Sequence, residues 1–86
     1  MVIMKYPVDT PQQLRSVLRA LRQSRQLTQA ELGERMGVNQ KRIARIEAVP
    51  GVTSFDQIAR IVASMGCRLV IEEAPGVAEP SKGATW

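Results

Sequence analysis

Leu27–Glu47 reads LTQAELGERMGVNQKRIARIE, and two helix starts lie eleven residues apart within it. At the first, Thr28 stands as N-cap, Glu31 three residues later closes a capping box, and Leu27 with Leu32 forms a hydrophobic staple. At the second, Asn39 is the cap, with Val38 and Ile43 at the two staple positions. Gly37 follows Met36 where a left-handed residue would end the first of these helices. The chain therefore turns within three residues, and the two helices must cross steeply. Gly33 sits inside the first helix at a cost of about 1 kcal/mol relative to alanine. Close backbone approach of the following helix would explain it.

Wound at about 100° per residue, Val38–Val49 puts Ile43 and Ile46 on one face. Lys41, Ala44, Arg45 and Ala48 point the other way, with Gln40 and Arg42 on the flanks. Such a face suits the DNA major groove: Arg or Lys grips guanine O6/N7, Gln pairs with adenine, and alanine permits close approach. Taken alone, an ordinary amphipathic helix with a solvated charged face is the commoner explanation. The paired helix starts before it favour a helix-turn-helix.

The 86 residues leave room for one domain with a modest core, too small for a comfortable enzyme cleft. Twelve Lys and Arg against eight acids give a net charge of +4 and a pI near 10.0. A polyanionic partner fits that balance, as does a merely basic soluble protein. Apolar runs are too short to span a bilayer and the N-terminus lacks the apolar core of a secretory signal, which predicts a cytoplasmic protein. Cys67 is the single cysteine and there is no histidine. No intrachain disulfide, structural zinc site or cofactor is expected, and Cys67 reads as a small buried apolar residue. Without histidine, paired carboxylates or a phosphate-cradling glycine loop, the pattern argues against an enzyme.

Residues 1–9 read as an N-terminal arm, residues 10–73 as the folded domain, and residues 74–86, rich in Pro, Gly and Ser, as a flexible tail. The domain opens with Thr10 as cap, Pro11 at the first helical position and Gln13 closing the box. Leu14, Val17, Leu18 and Leu21 make the buried stripe of that helix, flanked by Arg15, Arg19, Arg22 and Arg25. Phosphate contact and a solvated face account equally well for Arg19 and Arg25. Beyond the turn at Pro50-Gly51-Val52, Ser54 and Gln57 cap a fourth helix whose Phe55, Ile58, Ile61, Val62 and Met65 are expected to close the core, and Gly66 ends it. Residues 67–72 form a strand by composition, with Cys67, Leu69 and Ile71 on one side and Val70 on the other. A lone strand has an open edge. Its economical partner is the same strand of a second copy, so Arg68, Leu69, Val70 and Ile71 are expected to pair across a homodimer. Twofold symmetry then predicts a palindromic operator with recognition helices about 34–36 Å apart. Trp86, the single tryptophan, reads as an aromatic anchor for a partner's pocket or as a chance exposed residue.

As a combination, Leu27–Glu47 resembles the helix-turn-helix of the phage-repressor-like (Cro/C1, or XRE) family. The match lies in the Thr-Gln opening, the small residue at Gly33, Gly37 followed by an aliphatic, and the Ile43 and Ile46-Glu47 ending. The resemblance implies an all-α, compact four- to five-helix Cro/C1-type domain, here with the C-terminal β-strand pairing across a homodimer. It places Thr28 and Gln29 at the DNA backbone or an adjoining base, with an exposed Gln29 amide. Gln40, Lys41, Ala44 and Arg45 face bases, and Asn39 and Arg42 lie nearer the phosphates. Where the family carries a small hydroxylated residue this chain has Ala44, and Lys41 and Arg42 are bulkier than usual; these departures bear on the operator sequence. The family also pairs the position of Glu47 with that of Arg22 as a structural ion pair. The wider layout, from Tyr6-Pro7 and Pro11-Gln12-Gln13-Leu14 through Leu69-Val70-Ile71 to Trp86, looks like the HipB antitoxin branch. That implies an operator-binding, autoregulating dimer that neutralises a HipA-type Ser/Thr kinase toxin, with Trp86 docking on the kinase. A stand-alone regulator without a toxin partner is the alternative.

Overall fold

The computed structural model describes residues 4–73. Four α-helices follow one another: α1 (Pro11–Ser24), α2 (Gln29–Met36), α3 (Gln40–Ala48) and α4 (Phe55–Ser64), with a 3-10 turn at Pro50–Val52 between the last two. Each α-helix opens on a side-chain cap. Thr10, Thr28, Asn39 and Ser54 accept from the backbone N–H of Gln13, Glu31, Arg42 and Gln57 respectively. At α1 and α2 the reciprocal bond from the Gln13 or Glu31 side chain completes a capping box.

Three of the helices also end alike. Gln26, Gly37 and Gly66 have φ of 56°, 72° and 77°, and the following N–H bonds to the carbonyl five residues back. These bonds are Leu27 to Arg22 (3.2 Å), Val38 to Gly33 (2.9 Å) and Cys67 to Val62 (3.1 Å). This is the Schellman closure, which satisfies late carbonyls and turns the next residue inward. Leu27, Val38 and Cys67 accordingly pack against the core. The sequence signals two of the closures through glycine. Gln26 forms the third without one, bearing the left-handed cost that a side chain brings.

Leu18, Leu32, Ile43, Ile46 and Ile61 are fully buried, joined by Leu21, Met36, Ile58, Val62 and Met65. At about 1.5–3 kcal/mol for each such side chain, this core outweighs the exposed Lys5–Glu72 ion pair, whose class contributes about 0–1 kcal/mol. Leu14 and Val17 pack on its edge, half-buried, as does Cys67, which is less enclosed than expected. Phe55 departs from expectation altogether. It is 73% exposed: the buried stripe of α4 runs through Ile58, Ile61 and Val62, while Phe55 and Asp56 in its first turn face solvent.

Gly33 is where α2 lets the turn to α3 close. A Cβ built there would lie 2.6 Å from the Val38 carbonyl oxygen and 3.3 Å from the Asn39 carbonyl carbon. The approaching backbone is thus the turn and cap of α3 rather than its body. Gly51 lies against Pro11, whose Cβ is 3.1 Å from a built Cβ, so the 3-10 turn seats on the first residue of α1.

Residues 67–73 carry no regular secondary structure, and among the described residues there is no strand. The ladder expected for residues 67–72 has no partner among the described residues. Arm residues 4–9 are likewise irregular and exposed, and Lys5 Nζ reaches Glu72 Oε2 at 3.4 Å. Trp86 and residues 74–86 lie outside the described residues. No helix among the described residues is long and apolar enough to cross a membrane.

Candidate nucleic-acid interface

The orientation of α3 follows from its buried stripe. Ile43, Ile46 and Glu47 face inward, which leaves Gln40, Lys41, Arg42, Arg45 and Ala48 exposed and Ala44 half-buried. An open groove of about 540 Å³ runs along this helix and the turn before it, lined by Gly37, Val38, Asn39, Lys41, Arg42 and Arg45. A second, of about 190 Å³, lies between α3 and the start of α4, lined by Arg42, Arg45, Ile46, Val52, Thr53, Ser54 and Gln57. Arg42 and Arg45 border both. Neither groove is lined by an acid, and the ion pairs among the described residues, Lys5–Glu72 and Arg22–Glu47, take none of the three α3 cations.

Three like charges in five residues on one helix repel one another. What holds them in place is an ionic node beneath them. Arg22 Nε donates to Glu47 Oε2 at 2.6 Å and Nη2 to Oε1 at 3.2 Å, while Nη1 donates to the Leu27 carbonyl at 2.9 Å. The side chains of Arg22 and Glu47 are 12% and 7% exposed. Gln29 Nε2 adds a longer contact to Glu47 Oε1 at 3.4 Å. One carboxylate thus ties α1, α2 and α3 together. No buried side-chain nitrogen or oxygen among the described residues lacks a partner, the condition under which a buried ion pair is tolerated.

Each expected DNA-facing residue has a definite place. Gln40, Lys41, Arg42 and Arg45 share the exposed side of α3, with Ala44 set among them. Asn39 caps that helix, its Oδ1 accepting from Arg42 N–H at 2.9 Å. Thr28 is exposed at the start of α2 with its hydroxyl engaged by Glu31 N–H. In return Thr28 N–H donates to Glu31 Oε1 at 2.8 Å, and this backbone bond, with the hydroxyl contact, holds the Glu31 carboxyl below its ordinary value. Gln29 differs from expectation: it is half-buried with its amide drawn toward Glu47, where the resemblance implied an exposed amide.

The arginine stripe of α1 divides. Arg15 and Arg19 are exposed. Arg22 turns inward to Glu47, and Arg25 does something neither sequence reading anticipated: its Nε donates to the Met65 carbonyl at 2.6 Å. Arg35 donates to the Ser64 carbonyl at 3.3 Å and Arg60 to the Met36 carbonyl at 3.3 Å. Guanidinium groups therefore cover the orphan carbonyls at the ends of α2 and α4. Thr53, Ser54 and Gln57, which border the second groove, also escaped the sequence reading; the only signal was the Ser54 cap, read as local structure.

Residues 13–67, more than half of the chain, match a protein family described as a helix-turn-helix domain. The matched span runs from the first turn of α1 to the residue that closes α4. None of the curated proteins and none of the solved structures compared with the chain matches it.

Proposed function

We propose, from the premise that this chain belongs to the helix-turn-helix domain family, that it is a sequence-specific transcriptional repressor that binds operator DNA as a homodimer. The observation that carries this reading is the outward face of α3, where Lys41, Arg42 and Arg45 stand without carboxylate partners among the described residues beside Gln40. In this reading Gln40, Lys41, Ala44 and Arg45 read base edges. Thr28, Gln29, Asn39 and Arg42 hold the backbone, with helix N-termini at Thr28 and Asn39 turned to phosphate. Binding of promoter DNA and of a randomised duplex is compared at two salt concentrations. Salt-sensitive binding with a clear preference for the promoter supports the reading, and equal affinity for both duplexes refutes it.

The homodimer would form through residues 67–72. Leu69, Val70 and Ile71 are 41%, 69% and 101% exposed in the single chain, three successive apolar residues on an unpaired stretch, which is the kind of edge that recruits another strand. Pairing there makes the operator a palindrome with half-sites about one helical turn apart.

The finer reading is that this repressor is the antitoxin of a HipA-type Ser/Thr kinase and represses its own operon. It rests on the resemblance in layout to HipB-like proteins and on Trp86 as the kinase anchor. Inhibition of a kinase encoded in the same operon by the full chain, weakened in Trp86→Ala, supports it; a kinase unaffected by the protein leaves the stand-alone regulator.

A further inference from the structure

Beyond Cys67, whose N–H closes α4 on the Val62 carbonyl, residues 68–73 make no backbone hydrogen bond among the described residues. Cys67 packs on the core, and in an extended strand its alternation partners Leu69 and Ile71 would share its side while Arg68, Val70 and Glu72 would take the other. Ile71 is fully exposed, with none of the described residues covering it. Arg68 is exposed and takes part in neither ion pair among the described residues. Among the described residues Glu72 pairs with Lys5 alone, at 3.4 Å, with both side chains more than 60% exposed.

A twofold axis can cross an antiparallel pair of identical strands only at a few registers, and side-chain chemistry separates them. Centred on Arg68 or on Glu72, like charges would face each other across the axis, which is destabilising. Centred on Leu69 or Ile71, Arg68 or Glu72 would face Val70 of the other copy and the charges would go unmatched. An axis passing between residues would set the apolar side of one strand against the polar side of the other. Centred on Val70, every pair is matched: Arg68 faces Glu72, Leu69 faces Ile71, and Val70 faces itself.

We infer that two copies of this chain pair antiparallel through residues 68–72 with Val70 on the twofold axis, so that each Arg68 forms a cross-strand ion pair with Glu72 of the other copy. This inference rests on the dimer reading above and specifies its contact. The Leu69–Ile71 pairs form the underside with Cys67, continuous with the core, and cover the isoleucine that the single chain leaves bare. The Arg68–Glu72 pairs flank Val70 on the outer side and fix the register by penalising slippage. Lys5 already sits beside Glu72, so the N-terminal arm adds a second cation at each end of the ladder.

The test uses the full chain with Cys67→Ser, so that any disulfide comes from an introduced thiol. Val70→Cys should give mostly covalent dimer under oxidised glutathione, because directly opposed Cα atoms lie about 4.5–5.5 Å apart, within disulfide range. Leu69→Cys and Ile71→Cys should each cross-link poorly, since neither residue then faces itself. Independently, in the native background, Arg68→Glu and Glu72→Arg should each weaken dimerisation by about tenfold, and the double exchange should restore it to within about threefold. A dimer that cross-links best through Leu69→Cys or Ile71→Cys, or whose two charge reversals fail to compensate, overturns this register while leaving the dimer standing. A native chain that stays monomeric at the highest concentration overturns the dimer as well.

Discussion

Arg22 on α1 and Glu47 on α3 meet through two parallel bonds of 2.6 and 3.2 Å, almost wholly out of solvent. Glu47 lies two residues beyond Arg45 on the same helix, so the pair that fixes this face is separate from the face itself. Removing one partner strands the other in the interior, which typically costs about 3–5 kcal/mol, whereas replacing both with apolar groups is often near neutral. Glu47→Ala should therefore unfold at much lower urea than the native chain, and Arg22→Met with Glu47→Leu should recover most of the loss. If Glu47→Ala unfolds like the native chain while DNA affinity falls, Glu47 belongs to the interface instead.

Gly33→Ala sets a helix preference against a clash. Alanine should gain about 1 kcal/mol within α2, but its Cβ would fall 2.6 Å from a backbone oxygen that no rotamer change can move. The turn and cap of α3 must shift, and overpacking of this kind costs about 1–3 kcal/mol. A net loss of stability is expected, with weakened operator binding in the fraction that remains folded. A stabilised variant with unchanged DNA affinity would mean that the turn yields freely.

The helix boundaries and the Gly33 contact were legible because each is written within a few residues: a cap and its partner are three apart, a closing glycine directly follows its helix. Phe55 has the periodicity of the core stripe and still lies outside, since spacing reports which face a residue takes but not how far along a helix the neighbours extend. Arg25 shows a second limit. Its partner is the Met65 carbonyl, forty residues away, and a backbone acceptor has no sequence signature. Gln29 is drawn by a side-chain carboxylate on another helix, Glu47, a contact that spacing within α2 does not report. The strand pattern at residues 67–72 is not realised among the described residues, which carry no regular secondary structure there; composition signals a strand but does not name its partner.

Acid should weaken the start of α2 selectively. The Glu31 carboxyl is held below its ordinary value, 4.5, first by the Thr28 backbone N–H and then by the Thr28 hydroxyl. A lowered folded pKa means that the stabilisation is complete above the ordinary value and is lost as pH falls through the folded one. The stability difference between the native chain and Glu31→Ala should thus be constant near neutrality and shrink below pH 4.5. A difference that persists undiminished into strong acid would show that the capping bond does not depend on charge.

Lys41 separates base reading from phosphate attraction. It is exposed and lines the larger groove together with Asn39, Arg42 and Arg45. A lysine that donates to guanine discriminates by about 1–3 kcal/mol, whereas one on a phosphate contributes equally to every sequence. Lys41→Ala is expected to lose that amount on the operator, to relax preference at one base position of each half-site, and to lose less on random DNA. Equal losses on both, accompanied by a shallower salt dependence, would instead move Lys41 to the backbone. Base selection on α3 would then fall to Gln40 and Arg45, flanking the small Ala44 that allows the helix to approach.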